Sequence, residues 1–148
     1  MRSSQILRMS YLRPLAAVVV LVGLYLTSLY SYNLFHGLVE SFGIVVAAAT
    51  FVVVWNARAY TSNNYVLCLG AALIFVAGVD LLHTLAYEGL DVFPDYDTDL
   101  PTQLWLVGRY LHVLALLVSP FLLRRPRRAH ACLAGFGVLA AVFLVLVF

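Results

Sequence analysis

The chain has 148 residues, 64% of them apolar and 11% charged, with a net charge of +2. Soluble domains average roughly 45–50% apolar and about 25% charged residues, so this composition excludes an ordinary water-soluble domain. It leaves lipid as the solvent and room for one membrane domain, with no second folded domain.

Residues 1–14 carry Arg2, Arg8 and Arg13 and no acid, and an apolar run follows over about 15–32. A basic start before an apolar middle is the pattern of a signal peptide. This run is long for one, and LTSLYSYN after it lacks a small-residue cleavage site, so a retained first span is expected. Tyr25, Tyr30 and Tyr32 gather at its far end, as an interfacial aromatic belt would. The second run covers about 35–55 and ends in WNARAYTSNN, and the third covers about 64–87. The fourth, about 102–123, begins after Pro101, which suits the first turn of a helix, and stops before RRPRR; the fifth covers about 130–148. Each is close to the ~20 residues that cross a ~30 Å hydrocarbon core. Lipid offers no partner for backbone N–H and C=O, so such runs are helical, and the alternation of a β-barrel is absent. The expected fold is all-α, a polytopic bundle of about five spans forming a single integral-membrane domain over 1–148.

All nine basic residues are Arg. The N-terminal cluster, Arg58 and the run Arg124, Arg125, Arg127, Arg128 alternate so as to lie on one side, while the loops around Asn33 and from Glu88 to Asp99 carry no basic residue. That is a positive-inside pattern with a cytoplasmic N-terminus. RRPRR beside a hydrophobic span reads as this topology signal rather than as a nucleic-acid patch. The fifth run stops at Phe148 on the far side, so the chain is expected to be incomplete at its C-terminus.

Inside the spans lie groups that lipid makes costly, which marks them as functional-site candidates. Asp80 and His83 stand one turn apart in VAGVDLLHTLAYEGL, His36 and Glu40 one turn apart in the second run, and Arg109 and His112 in the fourth. All six fall in the outer half of three helices joined by short loops. His36, Glu40, Gly43, Ala47 and Thr50 form one stripe of polar and small residues, and Trp105, Arg109, His112, Leu116 and Ser119 form another. Imidazoles with carboxylates suit Zn, Cu, Fe or Ni better than Mg or Ca, and His36, His83 and His112 are the candidate metal ligands. Two histidines on facing helices would also suit haem, and Arg109 would suit an anionic ligand. The competing reading is helix glue, with Asp80–Arg109 and Glu40–His83 as partners adding about 0.6–2 kcal/mol. Six costly groups exceed what packing requires. Asp95, Asp97 and Asp99 lack the Gly and distal Glu of a calcium-binding EF-hand loop and read as a solvated face. Cys68 and Cys132 lack metal-finger or redox spacing, so no structural disulfide is expected. No nucleophile elbow, phosphate loop, HExxH or kinase motif occurs, and catalysis is not expected.

At NLFHGLVESFGIVVA, WNARAYTSNNYVLCLG, VDLLHTLAYEGL, VFPDYDTDLPTQLW and GRYLHVLALLVSPFLLRR the chain resembles the third type of bacterial and archaeal membrane-associated sensor domain, over roughly residues 30–128. Such domains are multi-span N-terminal inputs of histidine kinases, diguanylate cyclases and PAS-containing signalling proteins. The resemblance makes His36, Glu40, Asn56, Asp80, His83, Gln103, Trp105 and Arg109 characteristic polar positions, so Gln103 joins the candidate ligand-binding set of His36, Glu40, Asp80, His83 and Arg109. The chain departs from the pattern at Glu88, where Lys is expected, and at His112, where Glu is expected, so the resemblance does not carry a three-histidine metal site. The implied function is a non-enzymatic sensory input domain that binds a small ligand, metal or cofactor. The alternatives are a small membrane haem or redox protein and a transporter fragment. Expected partners are the bilayer and a downstream cytoplasmic signalling domain, with a homodimer left open and no nucleic acid.

Overall fold

The computed structural model describes residues 2–87, 90, 92–123 and 129–148. Glu88 and the cluster Arg124 to Arg128 lie outside the described residues, so the departure from the family pattern and the topology signal placed there have no structural account. The described elements are α1 (Arg2–Tyr30), α2 (Tyr32–Ala57), α3 (Asn64–Ala86), α4 (Leu100–Val118), a 3-10 turn (Ser119–Leu122) and α5 (Ala129–Val147). Among the described residues there is no strand, and five helices are long and apolar enough to cross a membrane. The protein is an all-α helical bundle, as its composition requires. The chain divides into two units, residues 1–39 and 40–148.

The N-terminal unit holds α1 and the first turns of α2. Pro14 sits inside α1, where it removes one backbone donor; spanning helices tolerate this. Ser31 alone separates the two helices. Its N–H donates to the Thr27 carbonyl at 2.9 Å, its carbonyl accepts from the Phe35 N–H at 3.1 Å, and its hydroxyl accepts from the Leu34 N–H at 3.3 Å. The hydroxyl therefore caps α2 in the way favoured at helix starts. Val19, Leu21, Leu26 and Leu29 are exposed, and a helix apolar all round with outward side chains is one that meets lipid.

The C-terminal unit is arranged around α3, which packs on α4 and α5. Cys68, Ala72, Val76 and Val79 of α3 form one core with Val107, Leu111 and Ala115 of α4 and Phe136 and Ala140 of α5. Each helix contributes residues near four apart, so each presents one packed stripe, and the alanines let the backbones approach. Gly70 serves the same purpose against α2: a Cβ there would lie 2.5 Å from Val54 Cγ1 and 2.7 Å from its Cβ. Gly137 lies under Phe75 in the same way, with the ring tip 3.0 Å from where a Cβ would stand. Asn63 caps α3, its Oδ1 accepting from the N–H groups of Tyr65 (3.1 Å) and Val66 (3.4 Å).

Of the two stripes read from the sequence, the one on α2 has Glu40, Ala47 and Thr50 half-buried but Gly43 exposed, and the one on α4 does not coincide with the packed face. Gly43 of α2 has nothing within 4 Å of a would-be Cβ, so the close approach comes from Gly70 of α3 instead. On α4, Trp105 and Leu116 are exposed, and the buried face runs through Leu104, Val107, Gly108, Leu111 and Ala115. The departure on α4 has a physical reason. In lipid the apolar faces compete equally for packing, so a polar or small stripe does not by itself fix the rotation of its helix.

Candidate functional site

Where α3 nears its C-terminal end, the apolar stripe gives way to Asp80 and His83, which are 7% and 5% exposed. Three residues on a helix turn the chain by less than one full turn, so the two side chains leave α3 on adjacent faces. Asp80 points at α4: the Arg109 Nη2 donates to both of its carboxylate oxygens, Oδ1 and Oδ2, at 2.6 Å each. The pair cancels two charges that lipid would otherwise penalise separately. The Asp80 side chain is almost enclosed while that of Arg109 is about two-fifths exposed, with side-chain accessibilities of 11% and 38%. Arg109 lies over the Trp105 ring at 5.9 Å, and its Nε is buried with no hydrogen-bond partner among the described residues.

Gly108 makes this pairing sterically feasible. A Cβ at that position would lie 2.6 Å from Asp80 Oδ1 and 3.7 Å from Val79 Cγ1, so the carboxylate occupies the space that any other residue would fill. Thr84 donates its hydroxyl back to the Asp80 carbonyl at 2.8 Å, a bond that satisfies the threonine within α3 and leaves the Asp80 carboxylate to Arg109.

His83 takes a different partner. Its Nδ1 lies 2.8 Å from the carbonyl oxygen of Pro101 in the first turn of α4. A carbonyl only accepts, so Nδ1 carries the proton and, in the neutral ring, Nε2 presents a lone pair. Tyr87 meets the ring edge-on at 6.2 Å. Glu40 of α2 places a carboxylate oxygen within 4.8 Å of a His83 ring nitrogen. Among the described residues, the Glu40 carboxylate makes no ion pair and no hydrogen bond.

Between the C-terminal end of α3 and the start of α4 opens a cavity of ≈ 150 Å³, lined by residues that include Tyr87, Phe93, Tyr96, Asp97 and Pro101. Two of these, Tyr87 and Pro101, are also neighbours of the His83 ring, so the cavity and the polar group share a wall, although His83 itself does not line the cavity. In that loop Asp97 Oδ1 accepts from the Thr98 N–H at 2.7 Å and its hydroxyl at 3.2 Å. Asp95, Asp97 and Asp99 are exposed and form no three-donor group among the described residues.

Of the residues singled out from the sequence, the structure thus brings together Asp80 with Arg109 and Glu40 with His83. His36 stands on α2 one turn before Glu40, in the N-terminal unit, its ring stacked on Tyr32 at 6.1 Å. Gln103 is exposed, and its backbone N–H closes the first turn of α4 on the Asp99 carbonyl at 3.0 Å. His112 is half-buried and belongs to no three-donor group among the described residues. Sequence reasoning missed Gly108 and the Pro101 carbonyl. The glycine immediately before an intramembrane arginine was the available signal for the first; a backbone carbonyl carries none in the sequence.

A family model described as a membrane-associated sensor domain, MASE3, matches residues 27–148. No curated protein and no solved structure matches the chain.

Proposed function

The chain belongs to the MASE3 family of membrane-associated sensor domains, and from that premise we propose that it receives its stimulus at the Asp80 end of α3. A sensor domain of this family is a membrane-embedded input module and not a catalyst. Within such a module the ligand site is where exchangeable polar contacts replace apolar packing. The observation that carries this reading is the Asp80–Arg109 pair with His83 beside it, formed inside an otherwise apolar bundle, with a cavity of the α3–α4 loop next to the Tyr87 and Pro101 neighbours of His83.

The orientation supporting this reading has the N-terminus and Arg58 in the cytoplasm and the loop around Asp95 outside, following the arginine placement. The stimulus then enters from the outer side through the acidic loop. A ligand that engages Glu40, His83 or Arg109 more strongly in one arrangement of α3 and α4 shifts the population towards that arrangement. A displacement of α4 passes through Ser119 to Leu122 and on to a linked cytoplasmic signalling domain, as small helix shifts do in other switches.

The test joins topology to output. Reporter fusions after Arg58 read cytoplasmic and one at Asp95 reads external. In a protein carrying this domain on a histidine kinase or diguanylate cyclase, His83→Ala abolishes the response to stimulus while membrane insertion and protein level are retained. Wild-type signalling from an inserted, folded His83→Ala protein overturns the assignment of the site.

A further inference from the structure

Resting on the sensory reading above, we infer that the cavity between α3 and α4 is an aromatic cage for a methylated ammonium group. Tyr87, Phe93 and Tyr96 wall it, and the Asp97 carboxylate supplies the counter-charge. Aromatic faces carry negative charge density and attract a cation that has left water. Four observations converge on it.

The first is shape. Phe93 and Tyr96 both line the cavity, and their rings stand 6.3 Å apart with planes at 86°, so they make two walls of a box. Tyr87, at the C-terminal end of α3, adds a third aromatic wall. Phe148, just after α5, packs on Phe93 at 5.8 Å and meets Tyr96 edge-on at 5.1 Å. The two rings are thereby braced against each other and against Phe148, and walls set in advance lose little freedom on binding. The second is size. The cavity of ≈ 150 Å³ equals the about 150 Å³ that admits benzene in an engineered apolar core, which is room for a nitrogen and its methyl groups.

The third is charge. The loop from Glu88 to Asp99 carries no basic residue, and Asp97 lines the cavity. Among the described residues, both hydrogen bonds of its carboxylate run through Oδ1, from the Thr98 N–H and hydroxyl. They hold the carboxylate in place and leave Oδ2 for a cation. The fourth is the kind of cation. Asp95, Asp97 and Asp99 form no three-donor group among the described residues, so a hard metal ion that takes about six to eight oxygens is not served. A primary ammonium brings three N–H donors that each need an acceptor. A quaternary ammonium brings none, and its methyl groups meet ring faces directly.

Position gives the cage its task. Tyr87 meets the His83 ring at 6.2 Å, and Pro101, another residue of the cavity wall, accepts from His83 Nδ1 at 2.8 Å. An occupant therefore bears on two neighbours of His83 without touching His83, which links the cage to the polar end of α3.

The full chain in nanodiscs of phosphatidylglycerol, a lipid with no ammonium group, is titrated calorimetrically with tetramethylammonium, and the signal of empty discs is subtracted. Wild type takes one ion per chain and takes tert-butanol, a neutral molecule of similar size, at least about tenfold more weakly. Phe93→Leu and Tyr96→Leu keep an apolar side chain but remove a ring face, and each weakens binding by about tenfold. Tyr96→Phe keeps the face and the affinity. Asp97→Asn weakens binding severalfold, while Asp95→Asn leaves it unchanged. Tryptophan emission and chromatographic homogeneity confirm that each variant is folded. No uptake by wild type overturns the proposal. So does equal uptake of tert-butanol, full affinity in both leucine variants, or a loss in Asp95→Asn as large as in Asp97→Asn, which would place the ion in the diffuse field of the loop. Discs of phosphatidylcholine then name the source. Weaker tetramethylammonium binding there marks a lipid headgroup as the occupant, and unchanged binding marks a free ion; the cage stands on either result. Failure of the cage and failure of the sensor are distinguishable. A chain that takes no ammonium, yet whose linked output still depends on His83, removes the cage and leaves the sensory reading. A cage that binds as described, while the linked output responds neither to ammonium nor to the cage variants, removes the sensory reading and leaves the cage.

Discussion

The two ends of α3 use the same helix for opposite purposes. Around Cys68, Ala72 and Val76 the helix meets α4 and α5 through a closed apolar stripe with Leu111, Ala115, Phe136 and Ala140. Around Asp80 and His83 it meets α4 through one ion pair and one hydrogen bond to a backbone carbonyl. Van der Waals packing is non-specific but has a single best arrangement, and removing it leaves a void. Polar contacts are few and strong, and a ligand can take them over one for one. On the proposed reading the apolar end supplies a fixed point and the polar end the part that changes state. Membrane helices need such a division because lipid gives no hydrophobic drive to hold a loosened pair together.

The sharpest way to break this comparison is to cut into the fixed end. Leu111 is fully buried, with 0% exposure, and lies in the core shared with α3 and α5. Leu111→Ala is expected to destabilise the bundle by about 2–5 kcal/mol, measured by denaturant titration in micelles. The fraction that remains folded should keep its response to the stimulus. A stable Leu111→Ala protein with lost ligand binding would reverse the roles of the two ends.

Glycine-to-alanine substitutions come next, at about 1–3 kcal/mol each for overpacking. At Gly70 the new methyl meets Val54 at 2.5 Å, and a β-branched side chain has little rotamer freedom with which to yield. Val54→Ala should then restore most of the loss. At Gly108 the new methyl meets Asp80 Oδ1 at 2.6 Å. The carboxylate must leave Arg109, so Gly108→Ala alters ligand binding as well as stability, and Val54→Ala does nothing for it. Equal rescue of both by Val54→Ala would show that the two glycines do one job.

Smaller still is the coupling of the ion pair. A double-mutant cycle over Asp80→Asn and Arg109→Gln is expected to give about 1–2 kcal/mol, above the ~0.6 kcal/mol average of interhelical hydrogen bonds in a membrane protein. The singles should differ. Arg109→Gln leaves a nearly enclosed carboxylate without its cation, whereas after Asp80→Asn the partly exposed Arg109 side chain can turn its head towards water. Arg109→Gln is thus the more damaging of the two in the same titration.

Much of this architecture was legible in the sequence because lipid removes alternatives. Five apolar runs of spanning length can only be helices, and charged groups such as Asp80 and Arg109 have few ways to be tolerated there except each other. The pairing Asp80–Arg109 follows from that scarcity, whereas Glu40 stands near His83 without bonding to it. What composition could not convey was rotation and closeness. The packed face of α4 passes through Leu104 and Leu111 rather than Trp105 and His112 because hydrophobicity is nearly uniform around the helix. The requirement at Gly108 depends on the Asp80 carboxylate lying against its Cα, a relation between helices 28 positions apart in the chain. Gln103, carried by family resemblance alone, is exposed at the start of α4.

The smallest expected effect gives the finest resolution of the two ends, because each carries its own tryptophan. Trp105 has the Arg109 guanidinium 5.9 Å from its ring centre. Trp55 has Arg58 at 4.7 Å and His130 edge-on at 5.1 Å, where α2 and α5 meet away from Asp80. A cation over an exposed aromatic face contributes about 0.5–1 kcal/mol, so Trp105→Phe and Trp55→Phe each cost little and leave two single-tryptophan proteins. Ligand binding at the Asp80 end disturbs the field around Arg109 directly and reaches Trp55 only through the apolar seam. The emission of the Trp105 protein should therefore shift or quench on adding the stimulus, while that of the Trp55 protein stays constant unless the whole bundle rearranges. A response in Trp55 alone would mean that the moving part is the end assigned here as the fixed one.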